Sequence, residues 1–111
     1  MINQKQESKV FRAIADPTRR AILDKLRAGP TNVNRLAADF RQTRPAISKH
    51  LRVLRQAAIV IEEKHSRERI YQLVPESLND VFNWINPYRE FWQNNLTQLK
   101  LFVEGEQNEN E

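Results

Sequence analysis

The chain contains 111 residues, of which 40% are hydrophobic, and its formal net charge is +4. That length suits one domain, and the excess of lysine and arginine favours a polyanionic partner. The absence of cysteine excludes disulfides, thiolate zinc sites and cysteine nucleophiles, and the two glycines cannot form a glycine-rich phosphate loop.

The two ends of the sequence differ from its middle. Residues 1–8 are polar and lack the apolar run of a signal peptide, and no segment approaches the roughly 18 apolar residues of a membrane span. We therefore expect a cytoplasmic protein without membrane insertion. Residues 104–111 carry four glutamates and no cation. The predicted organisation is a flexible N-terminus over 1–8, one folded domain over 9–103 and a disordered acidic tail over 104–111.

The first half of the sequence predicts four helices. Residues 9–15 form the first, and Asp16 and Pro17 start a second as its N-cap and first-turn residue. A short helix over 33–40 is then separated from a longer one, which Thr43 caps and which runs to residue 57, by the three residues 41–43. Two short helices joined by a tight polar turn are typical of a helix-turn-helix.

The helix predicted over 43–57 has one apolar side and one basic side. Ile47, Leu51 and Leu54 recur at the spacing of a buried stripe, whereas the remaining positions include four arginine or lysine residues and no carboxylate. A solvated surface helix normally carries charges of both signs, so we favour contact with a polyanion. In a helix-turn-helix, the second helix places its N-terminal side chains against base edges in the major groove of DNA.

Several side chains near the start of this helix suit that role. Arg44 can pair bidentately with guanine, and Gln42 can either read adenine or bind phosphate. Polar and basic neighbours are candidates for phosphate anchors, which position the protein without specifying sequence. The candidate DNA contacts of this segment are Gln42, Thr43, Arg44, Ala46, Ser48, Lys49, His50 and Arg52.

The pattern then changes to the alternation of β-strands. Residues 59–64 and 68–73 are predicted to pair as a hairpin around a turn at 65–67. A hairpin in this position is a wing, and its candidate DNA contacts are His65, Arg67 and Arg69. Because three glutamates offset their charge, a wing that makes no DNA contact remains an alternative.

The last helical region, which opens at residues 75–77, is too apolar for a helix packed on one small domain. Apolar side chains cover more than half of its circumference, and exposed patches of that size mark interfaces. Homodimerisation is the natural explanation. Pro87 is predicted to kink or break the helix near residues 85–86. The predicted dimer contacts of this helix are Phe82, Ile85, Tyr88, Phe91, Trp92, Leu96 and Leu99.

Metal binding and catalysis are both disfavoured. The two histidines, His50 and His65, lie on different predicted elements, so they do not supply a cluster of nitrogen ligands. The carboxylates are scattered over caps and polar helix faces, without a nucleophile or a histidine in a predicted cleft. We therefore expect no metal, no cofactor and no enzymatic activity.

Two blocks of sequence resemble the ArsR family of bacterial winged-helix repressors. They are Ala-Ile-Ala-Asp-Pro-Thr-Arg-Arg-Ala-Ile-Leu at 13–23 and Arg-Pro-Ala-Ile-Ser-Lys-His-Leu-Arg-Val-Leu at 44–54. The aromatic last segment is similar to the SdpR-like branch of the family. The resemblance implies a mostly α fold with a small β-hairpin, that is, a winged helix-turn-helix with long N- and C-terminal dimerisation helices. It also implies a homodimer that represses its own or an adjacent operon from a palindromic operator.

The resemblance carries over to particular positions. It implies base contacts from Arg44, Ala46, Ser48 and His50 and wing contacts from His65, Arg67 and Arg69. It also adds the first helix to the dimer interface, through Val10, Phe11 and Ile14. Metal sensing is not carried over, because the cysteine, acidic and histidine ligands of the family's sensors are missing. Ala58 and Ser66 stand where glycine is usual, after the fourth helix and at the wing tip.

One alternative function remains from the sequence. The aromatic last segment and the acidic tail also suit a winged-helix module that binds proteins and no longer binds DNA. If an effector exists, it is either a small apolar molecule between the dimer-forming helices or a protein that sequesters the repressor.

Overall fold

The computed structural model describes residues 4–109, with side chains described as far as Glu106. Contacts divide the chain into two compact units, which meet in sequence between Asp80 and Val81. The elements in chain order are α1 (Gln4–Ile14), α2 (Pro17–Arg27), β1 (Thr31–Asn32), α3 (Val33–Ala38), α4 (Arg44–Gln56), β2 (Val60–His65), β3 (Glu68–Leu73), a 3₁₀ turn (Pro75–Leu78) and α5 (Asn79–Glu109). The predicted mostly helical fold with a hairpin is confirmed. The region 9–103, predicted to be one folded domain, includes parts of both units.

The first unit is organised around one apolar core. Helices α1 to α4 and β3 pack on one another, because each contributes residues at the period of its own element. The core is continuous from the first helix to the sheet. Its buried side chains are Val10, Ala13, Ile22, Leu23, Leu26, Leu36, Ile47, Leu51, Leu54, Ala57, Ile59, Val60 and Tyr71.

Three helices of this unit begin at side-chain caps. Asp16 Oδ2 accepts from the backbone N–H of residue 19 at 3.0 Å, Asn32 Oδ1 from that of residue 35 at 2.9 Å, and Thr43 Oγ1 from that of residue 46 at 3.3 Å. Each cap satisfies a backbone donor that has no partner inside the helix. The caps fix the start of α2, α3 and α4, and the last of them orients the N-terminus of the basic helix.

The sheet has three strands rather than the two of the predicted hairpin. β2 and β3 pair antiparallel from Val60–Leu73 to His65–Glu68, and β1 adds to the other edge of β3. A two-residue strand has no periodicity, so the sequence pattern did not reveal it. At the hairpin tip Ser66 has φ of 60°, so a serine adopts the left-handed region where glycine is more common.

The end of α4 uses a left-handed residue without a glycine. Ala58 has φ of 59°, its N–H donates to Arg55 O at 2.9 Å, and the N–H of Ile59 donates to Leu54 O at 3.0 Å. These two bonds make a Schellman motif, which satisfies carbonyls at the helix end. The chain therefore retains the usual helix stop and accepts the conformational cost of alanine in the left-handed region.

The structure describes helix at residues 4–8 and 104–109, and the rest of the two predicted ends, residues 1–3 and 110–111, lies outside the described residues. Helix α1 begins at Gln4, inside the segment predicted to be flexible, because Gln6 Nε2 donates to Ala57 O at 2.8 Å and ties this turn to α4. Helix α5 runs unbroken through Pro87 to Glu109, so the predicted break near residues 85–86 does not occur. It also extends into the predicted tail, as far as Glu109.

Candidate nucleic-acid interface

The two sides of α4 have opposite roles in the first unit. Ile47, Leu51 and Leu54 are fully buried, and they fix the helix on α2, α3 and β2. The other side is exposed and carries polar and basic groups together with Pro45, and no acid. The side chains on it that the sequence predicted to contact DNA are Arg44, Ser48, Lys49 and Arg52. A rigid helix with one cationic surface can meet a phosphate backbone without rearrangement.

His50 and Gln42 have partners inside the protomer. Arg19 Nη1 lies 3.3 Å from His50 Nδ1, and His50 Nε2 lies 3.1 Å from Gln42 Oε1; in the tautomer with its proton on Nε2, the ring accepts from Arg19 and donates to Gln42. Gln42 Nε2 in turn donates to Thr18 Oγ1 at 2.7 Å. These bonds join the start of α2 to the turn before α4. His50 and Gln42, which the sequence predicted to contact DNA, thus also have partners within the protomer, and their DNA contacts stay predictions.

Arg19 organises the junction between the first two helices. Its Nε donates to Ala13 O at 2.6 Å and its Nη2 to Arg12 O at 3.0 Å, which satisfies carbonyls at the end of α1. Arg20 Nη1 donates to Ile14 O at 2.9 Å in the same way. The sequence reasoning missed this role. The sequence feature that could have revealed it is the pair Arg19 and Arg20, which follows the helix break at Asp16 closely enough to cap the end of α1.

Asp16 adds a charge to the same junction. The backbone N–H of Arg19 lowers the pKa of the Asp16 carboxyl, and the charges of His50 and Arg19 lower it further against an opposing effect of burial. His50 Nδ1 lies 3.9 Å from Asp16 Oδ2. The ionised carboxylate therefore caps α2 and lies beside the ring that supports α4.

A basic cleft of about 420 Å³ lies between α4, the start of α3 and the wing hairpin β2–β3. Five of its lining residues are arginines and two are glutamates. We call this space the α4–wing cleft, and its lining residues are Asn32, Val33, Asn34, Arg44, Ser48, Arg52, Arg55, Glu62, Arg67, Glu68, Arg69 and Tyr71. The cleft brings the predicted helix and wing contacts together on one surface.

One carboxylate in the cleft joins the helix to both wing strands. Glu62 on β2 forms ion pairs with Arg55 at the end of α4 and with Arg69 on β3, the latter with 2.8 Å between Oε1 and Nη1. Tyr71 on β3 is the cross-strand partner of Glu62. Burial raises the pKa of the Tyr71 phenol and Glu62 raises it further, so the hydroxyl remains a neutral donor. Arg69, predicted to be a wing contact, is tied to Glu62.

The wing tip is exposed. His65 Nε2 lies 3.2 Å from Glu63 Oε2, and Arg67 extends from the turn itself. Of the predicted wing contacts, Arg67 is therefore the one placed at the outermost point of the hairpin. Its charge and reach suit the DNA backbone or the minor groove.

The predicted dimer residues fall into two groups. Val10 is 1% exposed and belongs to the core of its own protomer, which corrects its assignment to the interface, while Phe11 and Ile14 are half-buried. On α5 the apolar side chains are exposed in the single chain, up to 68% for Phe91 and 66% for Trp92. The exposed large apolar residues of α5 are Phe82, Trp84, Ile85, Tyr88, Phe91, Trp92, Leu96, Leu99, Leu101, Phe102 and Val103.

Residues 4–109 contain neither a membrane span nor a metal-ligand cluster. Within that range no helix is long and apolar enough to cross a membrane. Over the same part of the chain, no three histidine, cysteine or acidic side chains are grouped so that they could hold a metal ion.

Comparisons with known proteins agree with this geometry. A family model described as bacterial regulatory protein, arsR family, matches residues 16–62, which run from the cap of α2 to the Glu62 ion pairs. The chain is also 35% identical over 106 residues to the HTH-type transcriptional regulator Rv2034 of Mycobacterium tuberculosis, and the alignment covers 96% of each chain. The chain belongs to the ArsR family of bacterial regulatory proteins.

Two further similarities support this membership. The chain is 40% identical over 76 residues to the transcriptional repressor SdpR of Bacillus subtilis, across 68% of this chain and 84% of that repressor. A crystal structure of an ArsR family transcriptional regulator superposes with a TM-score of 0.72 at 33% identity, over 83% of this chain and 95% of that one. This ArsR-family member is thus a DNA-binding transcriptional regulator of the winged-helix type and is not an enzyme.

Proposed function

We propose that this ArsR-family regulator is a homodimeric repressor that reads a palindromic operator of its own or an adjacent operon. Each protomer lays α4 in the major groove, and its wing contacts the neighbouring backbone or minor groove. One observation carries the proposal: α4 has a fully buried apolar stripe and an exposed surface with four cations and no acid. That combination fixes a basic helix rigidly on the surface, as base reading requires.

The long last helix supports the dimer. A single helix cannot bury its own side chains, and α5 exposes aromatic and aliphatic groups along most of its length. Patches of that extent on a soluble domain mark interfaces. Pairing of two copies brings two α4 helices onto one DNA face, so each protomer reads one half of a symmetric site.

The distribution of partners sharpens the choice of DNA-contacting residues. Arg44 and Ser48 lie in the first two turns of α4 and are the candidates for base contact. Lys49 and Arg52 are candidates for phosphate contact, and Arg67 is the candidate at the wing tip. Ala46 is half-buried and offers only a methyl group.

The proposal is tested by binding of the purified protein to a labelled duplex from the region upstream of its own operon, with a random duplex of equal length for comparison. Affinity is expected to fall steeply as salt rises, with a log–log slope of about −0.9 for each phosphate neutralised. Arg44→Ala is expected to lose about 1–3 kcal/mol and to relax base preference at one position in each half-site.

Arg27→Ala on α2 is the matched control, because it removes the same charge from an exposed helix outside α4 and the wing. An equal loss for Arg44→Ala on every sequence would make Arg44 a phosphate anchor rather than a base contact. If the wild-type protein binds the upstream and random duplexes alike, operator reading is contradicted. A monomer without DNA binding would instead favour a protein-interaction module.

A further inference from the structure

Glu62 occupies an unusual position in the α4–wing cleft. Its side chain is only 15% exposed, whereas those of its two cationic partners, Arg55 and Arg69, are 40% and 65% exposed. Its carboxylate joins the last turn of α4 to β3, because Arg55 lies on α4 and Arg69 on the wing. Tyr71 is its cross-strand partner in the cleft wall.

The charge balance of the cleft depends on this residue. Five arginines line the cleft, and the acids opposite them are Glu62 and Glu68. Glu68 contacts Asn32, with 3.5 Å between Glu68 Oε1 and Asn32 Nδ2. Glu62 is the acid that forms ion pairs with two of the cleft arginines, Arg55 and Arg69. Without its carboxylate, two guanidinium groups would lack their shared partner and would point into a cleft that faces DNA.

Two consequences follow for a protein that must discriminate between DNA sequences. Cations released from an internal partner bind phosphate on any sequence, which strengthens non-specific binding. A wing that is no longer tied to α4 can approach DNA at more than one angle, which weakens the geometric requirement for the correct site. Discrimination is a difference between these two affinities, so both changes reduce it.

We propose that Glu62 is a specificity-determining positioning residue, which holds the wing against α4 through Arg55 and Arg69 and keeps both arginines from binding phosphate on random DNA. The inference rests on the proposed function, since it assumes that α4 and the wing face an operator. It assigns Arg55 to the clamp that sets wing geometry and moves Arg69 there from the predicted wing contacts.

The test compares Glu62→Gln with Glu63→Gln, the same charge removal on the adjacent residue of β2. Glu63 is exposed and pairs with His65 at the wing tip. Each variant is titrated with the upstream duplex and with a random duplex across a salt series. Glu62→Gln is expected to lower the ratio of operator to random affinity roughly tenfold relative to Glu63→Gln. On random DNA its log–log salt slope should steepen by about 0.9 for each arginine that gains a phosphate.

A second pair of variants separates the clamp from a simple change of net charge. Arg69→Gln alone is expected to leave the random-DNA slope unchanged, because Arg69 is occupied by Glu62 in the wild type. In the double variant Glu62→Gln/Arg69→Gln, part of the steepening should disappear. Arg55→Gln breaks only the tie to α4, so it should reduce operator discrimination without steepening the slope. If Glu62→Gln does not fold, Arg55→Gln still tests whether the tie between the wing and α4 supports operator discrimination.

Two results would overturn the proposal. If Glu62→Gln and Glu63→Gln have equal discrimination and equal slopes, Glu62 has no positioning role, although operator reading stands. If Arg69→Gln in the wild-type background flattens the slope as much as it does beside Glu62→Gln, Arg69 contacts phosphate directly. A wild-type protein without operator preference would refute the proposed function itself, and the specificity role of Glu62 would fall with it.

Discussion

Helices α4 and α5 are both rich in apolar residues, but only those of α4 are buried within one protomer. Leu51 of α4 is 1% exposed, whereas Leu96 of α5 is 49% exposed. The single chain therefore explains α4, which has a buried apolar stripe on one side and a cationic surface on the other. The apolar side chains of α5 need a partner to cover them, and their pattern alone does not identify that partner. Similar patterns in one sequence can thus encode a core in one place and an interface in another.

The largest expected effect tests this contrast directly. Leu51→Ala should cost about 2–5 kcal/mol of unfolding free energy, because it leaves a cavity in the core. This loss is measured by urea denaturation. Leu96→Ala removes the same atoms from α5 and should instead raise the dissociation constant of the dimer at least about tenfold, since each protomer loses buried apolar area. Light scattering over a dilution series measures that change.

Gln93→Ala, on the polar side of α5, is the control for the dimer measurement. It should leave the dissociation constant unchanged. If Leu96→Ala also has no effect on association, the Leu96 side of α5 is not where two copies meet. A Leu51→Ala protein as stable as the wild type would show that the stripe of α4 is not a core.

A smaller effect concerns the polar junction that supports α4 and has no counterpart along α5. Asp16→Ala should lose about 1 kcal/mol at neutral pH, because the N-cap of α2 is removed. Asp16→Asn keeps a cap and is the control. The pKa of Asp16 is lower in the folded than in the unfolded state. Its ionic contribution is therefore complete above the ordinary value of about 3.9 and is lost as pH falls toward the folded pKa.

Urea midpoints between pH 6 and pH 3 measure that dependence. The stability advantage of the wild type over Asp16→Asn should shrink below about pH 4. A constant difference over the whole range would show that the Asp16 charge makes no contribution to folding.

The smallest expected effect is at the end of α4. Ala58→Gly should raise the unfolding free energy by roughly 0.5–1 kcal/mol, because glycine adopts the left-handed region without steric cost, although it loses more backbone entropy. Thermal and urea denaturation measure the gain. Ala21→Gly, inside α2, should instead destabilise by about 1 kcal/mol. Equal losses for the two variants would contradict the Schellman end of α4.

The sequence by itself determined the elements whose information is local. The caps at Asp16 and Thr43, the buried stripe of Ile47, Leu51 and Leu54, and the wing hairpin all follow from residue type and spacing. So does the family, because its two blocks are continuous segments. These features rest on bonds and contacts between residues a few positions apart, or on the period of one element, so a pattern in the chain is enough to predict them.

Only the tertiary structure decided which side chains form hydrogen bonds and ion pairs with one another. His50 is bonded to Gln42 and Arg19, and Glu62 joins Arg55 to Arg69, across separations that no local pattern records. The start of α1 depends on Gln6 reaching Ala57, and β1 exists because β3 offers it an edge. Such contacts depend on how distant segments are brought together, which residue type and spacing leave open.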